Sequence, residues 1–329
     1  MNQTLLLSRS DVARLLTMPQ CIDAIEKMFR RLGEGKLPAS GILGIKSKQG
    51  GLHIKAGLLP GERDFIVAKL NTNFPRNRAE HDLPTIQGLI AVCDGENGRP
   101  LAVMDSIDIT IKRTAAASAV AAKYLAIPDS SIATICGCGQ QAAAQLSAIR
   151  AVLPLTKIYA FDSDPAAAKN FAATFARELR LAIEPVHELR SALERSDVCI
   201  TCTTATEFFV RKEEVRPGMF IAAVGADDSH KQEIDPALMA SAKVVADSLD
   251  QSCTIGDTHH AIRAGLMRRE DVHAELSEIL AGKKPGRTSA DEITVFDSTG
   301  IALEDAVAAV AVYHKAVKEK TLTRFDFAD

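Results

Sequence analysis

The apolar positions along the chain change their period twice. Over residues 8–32, Val12, Leu15, Leu16, Ile22, Ile25, Met28, Phe29 and Leu32 recur at helical spacing, with an interruption near Pro19. Ser8 or Ser10 is placed to cap that helix. Up to residue 104 the pattern shortens to strand-like runs at 41–46, 52–58, 65–70, 86–92 and 101–104. Gly50-Gly51, Pro60-Gly61, a 71–84 loop and Asp94-Gly95 separate them. Short turns between neighbours predict an antiparallel sheet. An alanine-rich helix follows over 107–125 and stops before Pro128.

At Ser131 the texture changes again. SIATICGCG is a short buried strand running into glycines. Strands are then predicted at 157–162, 182–186, 198–204, 219–225 (with 226 at its limit), 243–247 and 293–300, and helices at 140–152, 165–180, 187–195 and 235–241. Alternation of apolar strands with helices predicts a Rossmann-type, doubly wound parallel sheet. A last helix, 301–319, returns to the first domain. The expected fold is therefore α/β, a Rossmann-type sheet plus an α+β domain. Residues 1–113 together with 301–329 form one domain and residues 114–300 the other.

Length and charge narrow the function. The 329 residues suit about two domains at roughly 150 residues each. Lys+Arg is 39 against 42 Asp+Glu, a net charge of −3, which argues against a nucleic-acid partner. With aromatics at 5% and no Trp, a stacking platform for bases or sugars is not expected either. No stretch reaches the roughly 18 apolar residues that span a bilayer. MNQTLLLSRSDVARLL is too charged for a signal-peptide core, so no membrane contact and a cytoplasmic location are expected. The seven cysteines are an odd number in a chain too long for a disulfide miniprotein, and read as reduced, small apolar residues.

Gly137-Cys138-Gly139-Gln140-Gln141-Ala142 is a G-x-G-x-x-A pattern, and it stands between a predicted strand and a predicted helix. Gly137 allows the tight turn, Gly139 lets backbone amides approach a pyrophosphate, and Ala142 permits close helix–sheet packing. The helix N-terminus offers unpaired N–H groups to the anion. Asp162 ends the next strand, where a carboxylate accepts from both ribose hydroxyls and repels a 2′-phosphate. No Arg follows it directly, so NAD(H) is expected rather than NADP(H).

Six segments then resemble one family, the ornithine cyclodeaminase/mu-crystallin proteins: AKLNTNFPRN, LPTIQG, MDSIDITIKRTAAASAVAAKYLA, GCGQQA, VGADDSHKQEID and VFDSTGIALEDA. The resemblance covers nearly the whole chain. It implies a substrate-binding, dimerising first domain completed by the C-terminal helix, an NAD(P)-binding second domain and an active site between them. Members act as cyclodeaminases, alanine dehydrogenases or reductases of small imino acids, and mu-crystallin binds thyroid hormone.

Three residues carry the expected chemistry. Arg113 has a rigid guanidinium fork suited to an α-carboxylate, although by itself it reads sooner as a surface or phosphate-facing arginine. The resemblance implies contact with both substrate and cofactor. Lys69, inside the apolar run FIVAKLN, either points out from a half-buried strand or is buried with a lowered pKa. The resemblance makes it a substrate-binding or catalytic lysine. Asp227 closes its predicted strand where open α/β sheets bind ligands, and the family pattern selects it over neighbouring Asp228 as the acid facing the substrate nitrogen. By the same resemblance Thr85, Thr114, Gly137, Gly139, Gln140, Asp162, Thr203, Val224, Gly225, Lys231 and Ser298 contact the cofactor, and Thr299 the substrate.

One position departs from the family. Many members carry an Arg in the strand after the first helix, where this chain has Ser40. Lys55, on the face of His53 in GGLHIKAG, is the candidate to take its place. Cys199 and Cys202 are expected on opposite faces of one strand, which argues against a redox pair or a zinc half-site. Cys136 and Cys138 lack a second Cys/His set at ligand spacing, and His259-His260 is expected at a loop-to-helix junction. No metal site and no G-x-S-x-G elbow is read. The expected activity is NAD(H)-dependent hydride transfer at Cα of a small amino or imino acid. The alternatives are conversion of L-ornithine to L-proline and ammonia with catalytic NAD, and a mu-crystallin-like protein binding NAD(P)H and a small ligand. A homodimer through the first domain is expected.

Overall fold

The computed structural model describes residues 3–38 and 40–327. Residues 1, 2, 39, 328 and 329 belong to the expected first domain and lie outside the described residues. The chain divides into two compact units, 1–113 with 301–329, and 114–300.

In the first unit the strands are β1 (Thr4–Leu7), β2 (Gly41–Lys46), β3 (Gly51–Leu59), β4 (Phe65–Asn73), β5 (Ile86–Asp94) and β6 (Pro100–Asp105). In the second they are β7 (Ile132–Cys136), β8 (Lys157–Phe161), β9 (Ala182–Pro185), β10 (Val198–Thr201), β11 (Phe220–Ala223), β12 (Lys243–Ala246), β13 (Ala274–Glu275) and β14 (Thr294–Asp297). β15 (Arg324–Phe325) returns to the first sheet.

Among the described residues the first unit holds one seven-stranded sheet, ordered β15-β1-β6-β5-β4-β3-β2. It is mixed rather than antiparallel, because β1 pairs parallel with β6. β1 and β15 are too short and too weakly alternating to read from sequence. The helix expected over 8–32 is two helices, Arg9–Leu15 and Met18–Gly33. Leu16 leaves helical geometry, and Pro19, which lacks an N–H, sits in the first turn of the second helix. The 71–84 loop contains the end of β4 and a short helix, Asn77–His81. On one sheet face Phe65, Val67, Ile90 and Val92 are buried. The helices Met18–Gly33 and Ala302–Ala316 pack with each other, and the second lies across β3 and β4.

The second unit is an eight-stranded sheet, ordered β13-β12-β14-β11-β10-β7-β8-β9 and parallel at every pairing. Its strands are apolar on both faces, as burial between two helical layers requires; Ile135, Ile200, Ile221, Val244 and Val295 are fully buried. Strand order reverses between β7 and β10, so the crevice at their carboxyl ends is where such sheets take ligands. Several expected strands stop short of their predicted limits: β14 ends at Asp297 rather than 300, so Ser298 and Thr299 follow it, and two more bear on the site. β10 ends at Thr201 rather than 204, and β11 ends at Ala223 rather than at 225–226. Thr203 and Asp227 therefore stand on loops. The segment 248–292 holds the helices Leu249–Ile255, Asp257–Arg263 and Leu276–Leu280. No helix among the described residues is long and apolar enough to cross a membrane.

Candidate functional site

In the first unit, register brings two lysines together. Lys55 on β3 is paired directly with Lys69 on β4, so both side chains leave the same face of the sheet. Lys69 is 4% exposed and Arg113 6%, both without the hydration that a charge ordinarily needs. Two carboxylates from the first turn of the helix Ala302–Ala316 answer them. Asp305 lies 2.7 Å from Lys69 Nζ and accepts from Arg113 Nε at 2.9 Å, and Glu304 accepts from Arg113 Nη1 at 2.8 Å.

Burial pushes the Lys69 ammonium down to about 8; Asp305 opposes that shift, while Arg113 and Lys55 reinforce it. Burial raises the Asp305 carboxyl, but the pull of Arg113, Lys69 and Lys55 exceeds it, and the net direction is down. Glu304 goes up, because burial exceeds the pull of Arg113. Sequence reasoning missed both acids. Two acids in the apolar helix IALEDAVAAVAVY are the signal that could have found them. Acids in a first turn also have an ordinary reason to be there, the helix dipole, and that hid them. Ser40 immediately precedes β2 and lies near Gly57, whose added Cβ would stand 3.7 Å from Ser40 Cβ. Thr85, just before β5, is half-buried, with its carbonyl accepting from Phe74 N.

In the second unit, Gly137 has φ +91°, and a Cβ there would stand 2.9 Å from Cys202 O and from Thr203 Cγ2. Only glycine makes that turn. Above Gly139 no atom would lie within 4 Å of a Cβ, so the backbone there is open to a ligand. Ala142 is fully buried where the helix Ala142–Arg150 begins. A cavity of about 500 Å³ is lined by Gly137, Gly139, Asp162, Thr203, Glu207 and Phe209, among others. Asp162 is held in place by two backbone donors, Cys138 N at 2.8 Å and Asp164 N at 2.9 Å. A carboxylate has about four acceptor positions, so it keeps capacity for a ribose. Glycine turn, open backbone, helix N-terminus and anchored acid fit a dinucleotide.

Other expected residues are placed differently. Asp227 is largely exposed and pairs with Lys231 at 2.5 Å, so these two face each other across one turn. Gln140 is exposed and Thr114 buried. Ser298 is 3% exposed and its hydroxyl has no partner among the described residues. Thr299 donates to the buried carboxylate of Asp247 at 2.9 Å. Cys202 lies beyond β10, not within it, and its Sγ points to Gly137 O at 3.3 Å. All seven cysteines are free, and burial raises the Cys138 thiol to about 12. His259 and His260 lie within a helix rather than at its junction, and His260 Nε2 stands 2.8 Å from Lys231 O. Among the described residues no group of three His, Cys, Asp or Glu is arranged to hold a metal ion.

Val224 and Gly225 follow β11, and a side chain on Gly225 would run into Glu233 Oε1 at 2.4 Å. Glu233 is a third acid that sequence reasoning missed. It is fully buried, and nothing in KQEID sets it apart from a solvated turn.

Comparison with known proteins gives this arrangement relatives. A family model described as the ornithine cyclodeaminase/mu-crystallin family matches residues 2–320. The alanine dehydrogenase of Archaeoglobus fulgidus is 36% identical over 326 residues, covering 99% of each chain. The structure of an archaeal alanine dehydrogenase dimer with bound NAD is similar over 99% of each chain, with a TM-score of 0.94 and 35% identity. That of the Thermococcus litoralis Δ1-pyrroline-2-carboxylate reductase in complex with NADH and L-proline is similar over 97% of this chain and 99% of that one, with a TM-score of 0.91 and 36% identity.

Proposed function

Because this chain belongs to the ornithine cyclodeaminase/mu-crystallin family, we propose that it is an NAD(H)-dependent oxidoreductase acting at Cα of a small amino or imino acid. The observation that carries this is the buried charge of the first unit. Two buried cations, Lys69 and Arg113, meet two buried carboxylates, Glu304 and Asp305, with half-buried Lys55 beside them. An ammonium and a guanidinium fork held at fixed positions on one sheet face suit a substrate carboxylate. The relatives named above are an alanine dehydrogenase and an imine reductase, which is the substrate class a single carboxylate beside Cα describes.

We assign substrate binding to 1–113 with 301–329 and the dinucleotide to 114–300. Gly137, Gly139 and the helix behind them would hold the pyrophosphate, and Asp162 the ribose, with NAD favoured over NADP because a carboxylate repels a 2′-phosphate. The bound nicotinamide supplies or accepts the hydride. Arg113 and Lys69 orient the carboxylate. Lys69, with its pKa near 8, exchanges a proton near neutral pH. Asp227 receives or returns the proton on the substrate nitrogen, and Lys231, 2.5 Å away, fixes the position of that carboxylate. Ser298, a buried hydroxyl with no partner, donates to the cofactor.

The first unit also has a reason to pair with a second copy. On the sheet face away from its helices, Leu43, Ile45, Ile66 and Leu89 are 54%, 53%, 44% and 42% exposed, large apolar side chains on β2, β4 and β5. A homodimer would cover it, in keeping with the related alanine dehydrogenase dimer.

The test is a substrate panel with NAD. Stoichiometric NADH from L-alanine or L-proline, or NADH consumed by a cyclic imine, is expected. Ammonia and L-proline from L-ornithine without net NADH would replace this reading with cyclodeamination. Bound NADH with no turnover of any amino acid, cyclic imine or keto acid plus amine would replace it with a binding role.

A further inference from the structure

We propose that Glu233 is the positioning residue of the nucleotide site, its carboxylate tying the loop after β10 to the loop after β11. This rests on the nucleotide reading above, and Glu233 acts there through Thr203 and Gly225.

The carboxylate is fully buried and every contact makes it an acceptor. Oε1 takes Thr203 N and Thr203 Oγ1, both at 2.7 Å. Oε2 takes Gly225 N at 2.8 Å and Thr201 Oγ1 at 2.6 Å. Each oxygen thus holds one backbone N–H, a donor that cannot be reversed, and one hydroxyl, which can. Thr203 lines the cavity. Gly225 leads to Asp227, whose N–H donates to Gly225 O at 3.1 Å. The main chain of Glu233 adds a third tie, since its carbonyl accepts from Phe209 N at 3.0 Å and from Val210 N at 3.1 Å, and Phe209 also lines the cavity.

Glu233 is itself held from below. Its N–H donates to Asp257 Oδ1 at 2.8 Å, and Asp297 in turn accepts from Asp257 N and from the hydroxyls of Ser252 and Thr258. A post fixed at its base by buried acceptors, with two loops hung from its tip, explains why Gly225 is glycine. The carboxylate occupies the space that a Cβ would need.

Glu233→Gln separates this role from simple packing. The glutamine amide has the same shape but only one acceptor atom, so its NH2 must face either Thr203 N or Gly225 N, donor against donor. Titration of NADH fluorescence, with no amino-acid substrate present, is expected to show full site stoichiometry and a Kd raised about tenfold. Thr201→Val removes the hydroxyl donor to Oε2 at a buried position outside the cavity lining, and about a threefold rise is expected. Thr201→Ser keeps the hydroxyl and should restore wild-type affinity. A merely structural role would instead lower the number of competent sites at unchanged Kd, and that result overturns the proposal. Should Glu233→Gln not fold, the Thr201 pair decides, and equal Kd for Val and Ser overturns it. If the wild-type protein binds no NADH, the nucleotide reading falls as well. Wild-type binding with an unchanged Kd in Glu233→Gln removes Glu233 alone.

Discussion

Asp305 in the first unit and Asp297 in the second are equally buried, at 1% and 0% exposure. Their carboxyls nevertheless move in opposite directions. Burial raises both, but around Asp305 the pull of Arg113 and Lys69 exceeds it, and the net direction is down. Around Asp297 the partners are the hydroxyls of Ser252 and Thr258 and two backbone N–H groups, which leave burial dominant, and the net direction is up. Asp257, beside Asp297 and Glu233, goes up further through burial and the repulsion of those two acids. One region dissolves its acids in cations, the other in dipoles. Cations make a region able to trade a partner for a ligand of like charge, whereas dipoles make it a rigid frame.

The comparison breaks most readily at Asp305. Asp305→Ala takes from Lys69 and Arg113 the carboxylate they share, and removing one partner from a buried ionic group costs about 3–5 kcal/mol. Urea unfolding followed by fluorescence or circular dichroism would show it. A loss under about 1 kcal/mol would mean that water reaches these charges, and the first region would not differ from a surface pair.

Next in size is the pH response of Lys69. Its folded pKa, about 8, lies below the ordinary 10.5, so holding it charged costs the fold stability in full below pH 8. That cost is relieved as pH rises from about 8 towards 10.5, and amounts to about 3 kcal/mol at most. Carboxylate binding that needs the ammonium should weaken over the same rise, with a step in kcat/KM near pH 8. Removing the Asp305 charge in Asp305→Asn should carry that step to lower pH, because Asp305 supports the charged form. A step that stays in place would take Lys69 out of the chemistry.

The smallest effect is expected at Asp257. Its folded pKa is raised, so the group favours the folded state below the ordinary carboxyl range, and that contribution is lost as pH rises through the folded value. Asp305 has the opposite sign, stabilising above that range and failing as pH falls. Asp257→Asn keeps the acceptor for Glu233 N and Ile234 N and removes a buried charge. Stability at pH 7 should change by no more than about 1 kcal/mol, towards greater stability. A loss of several kcal/mol would show that the dipolar frame needs a charge after all.

Much of this was legible before any coordinates. The glycine turn at 137–139 and Asp162 at the end of the following strand follow from local rules, a tight turn that only glycine makes and a strand that ends where its apolar run ends. Val198–Thr201 and Phe220–Ala223 were legible as strands but not at their ends. Strand-like character continues past the last ladder bond, so the pattern carries β10 through Thr203 and β11 up to Asp227, and both residues belong to loops. β1 was not legible at all, because four residues carry too little period.

The chain by itself determined which segments would be helix or strand, where a nucleotide loop would turn, and that Lys69 and Arg113 were unusual company for apolar neighbours. These depend on side-chain period, on φ freedom and on composition within a few residues. Tertiary structure decided which charges meet. Arg113 and Asp305 are 192 positions apart, and Thr203 and Glu233 are joined only because β10 and β11 lie side by side. No local pattern encodes such pairs, since an acid in a first helical turn or in a polar loop is equally at home in water. Burial alone turns it into a partner that must be satisfied, and burial is a property of the packed fold.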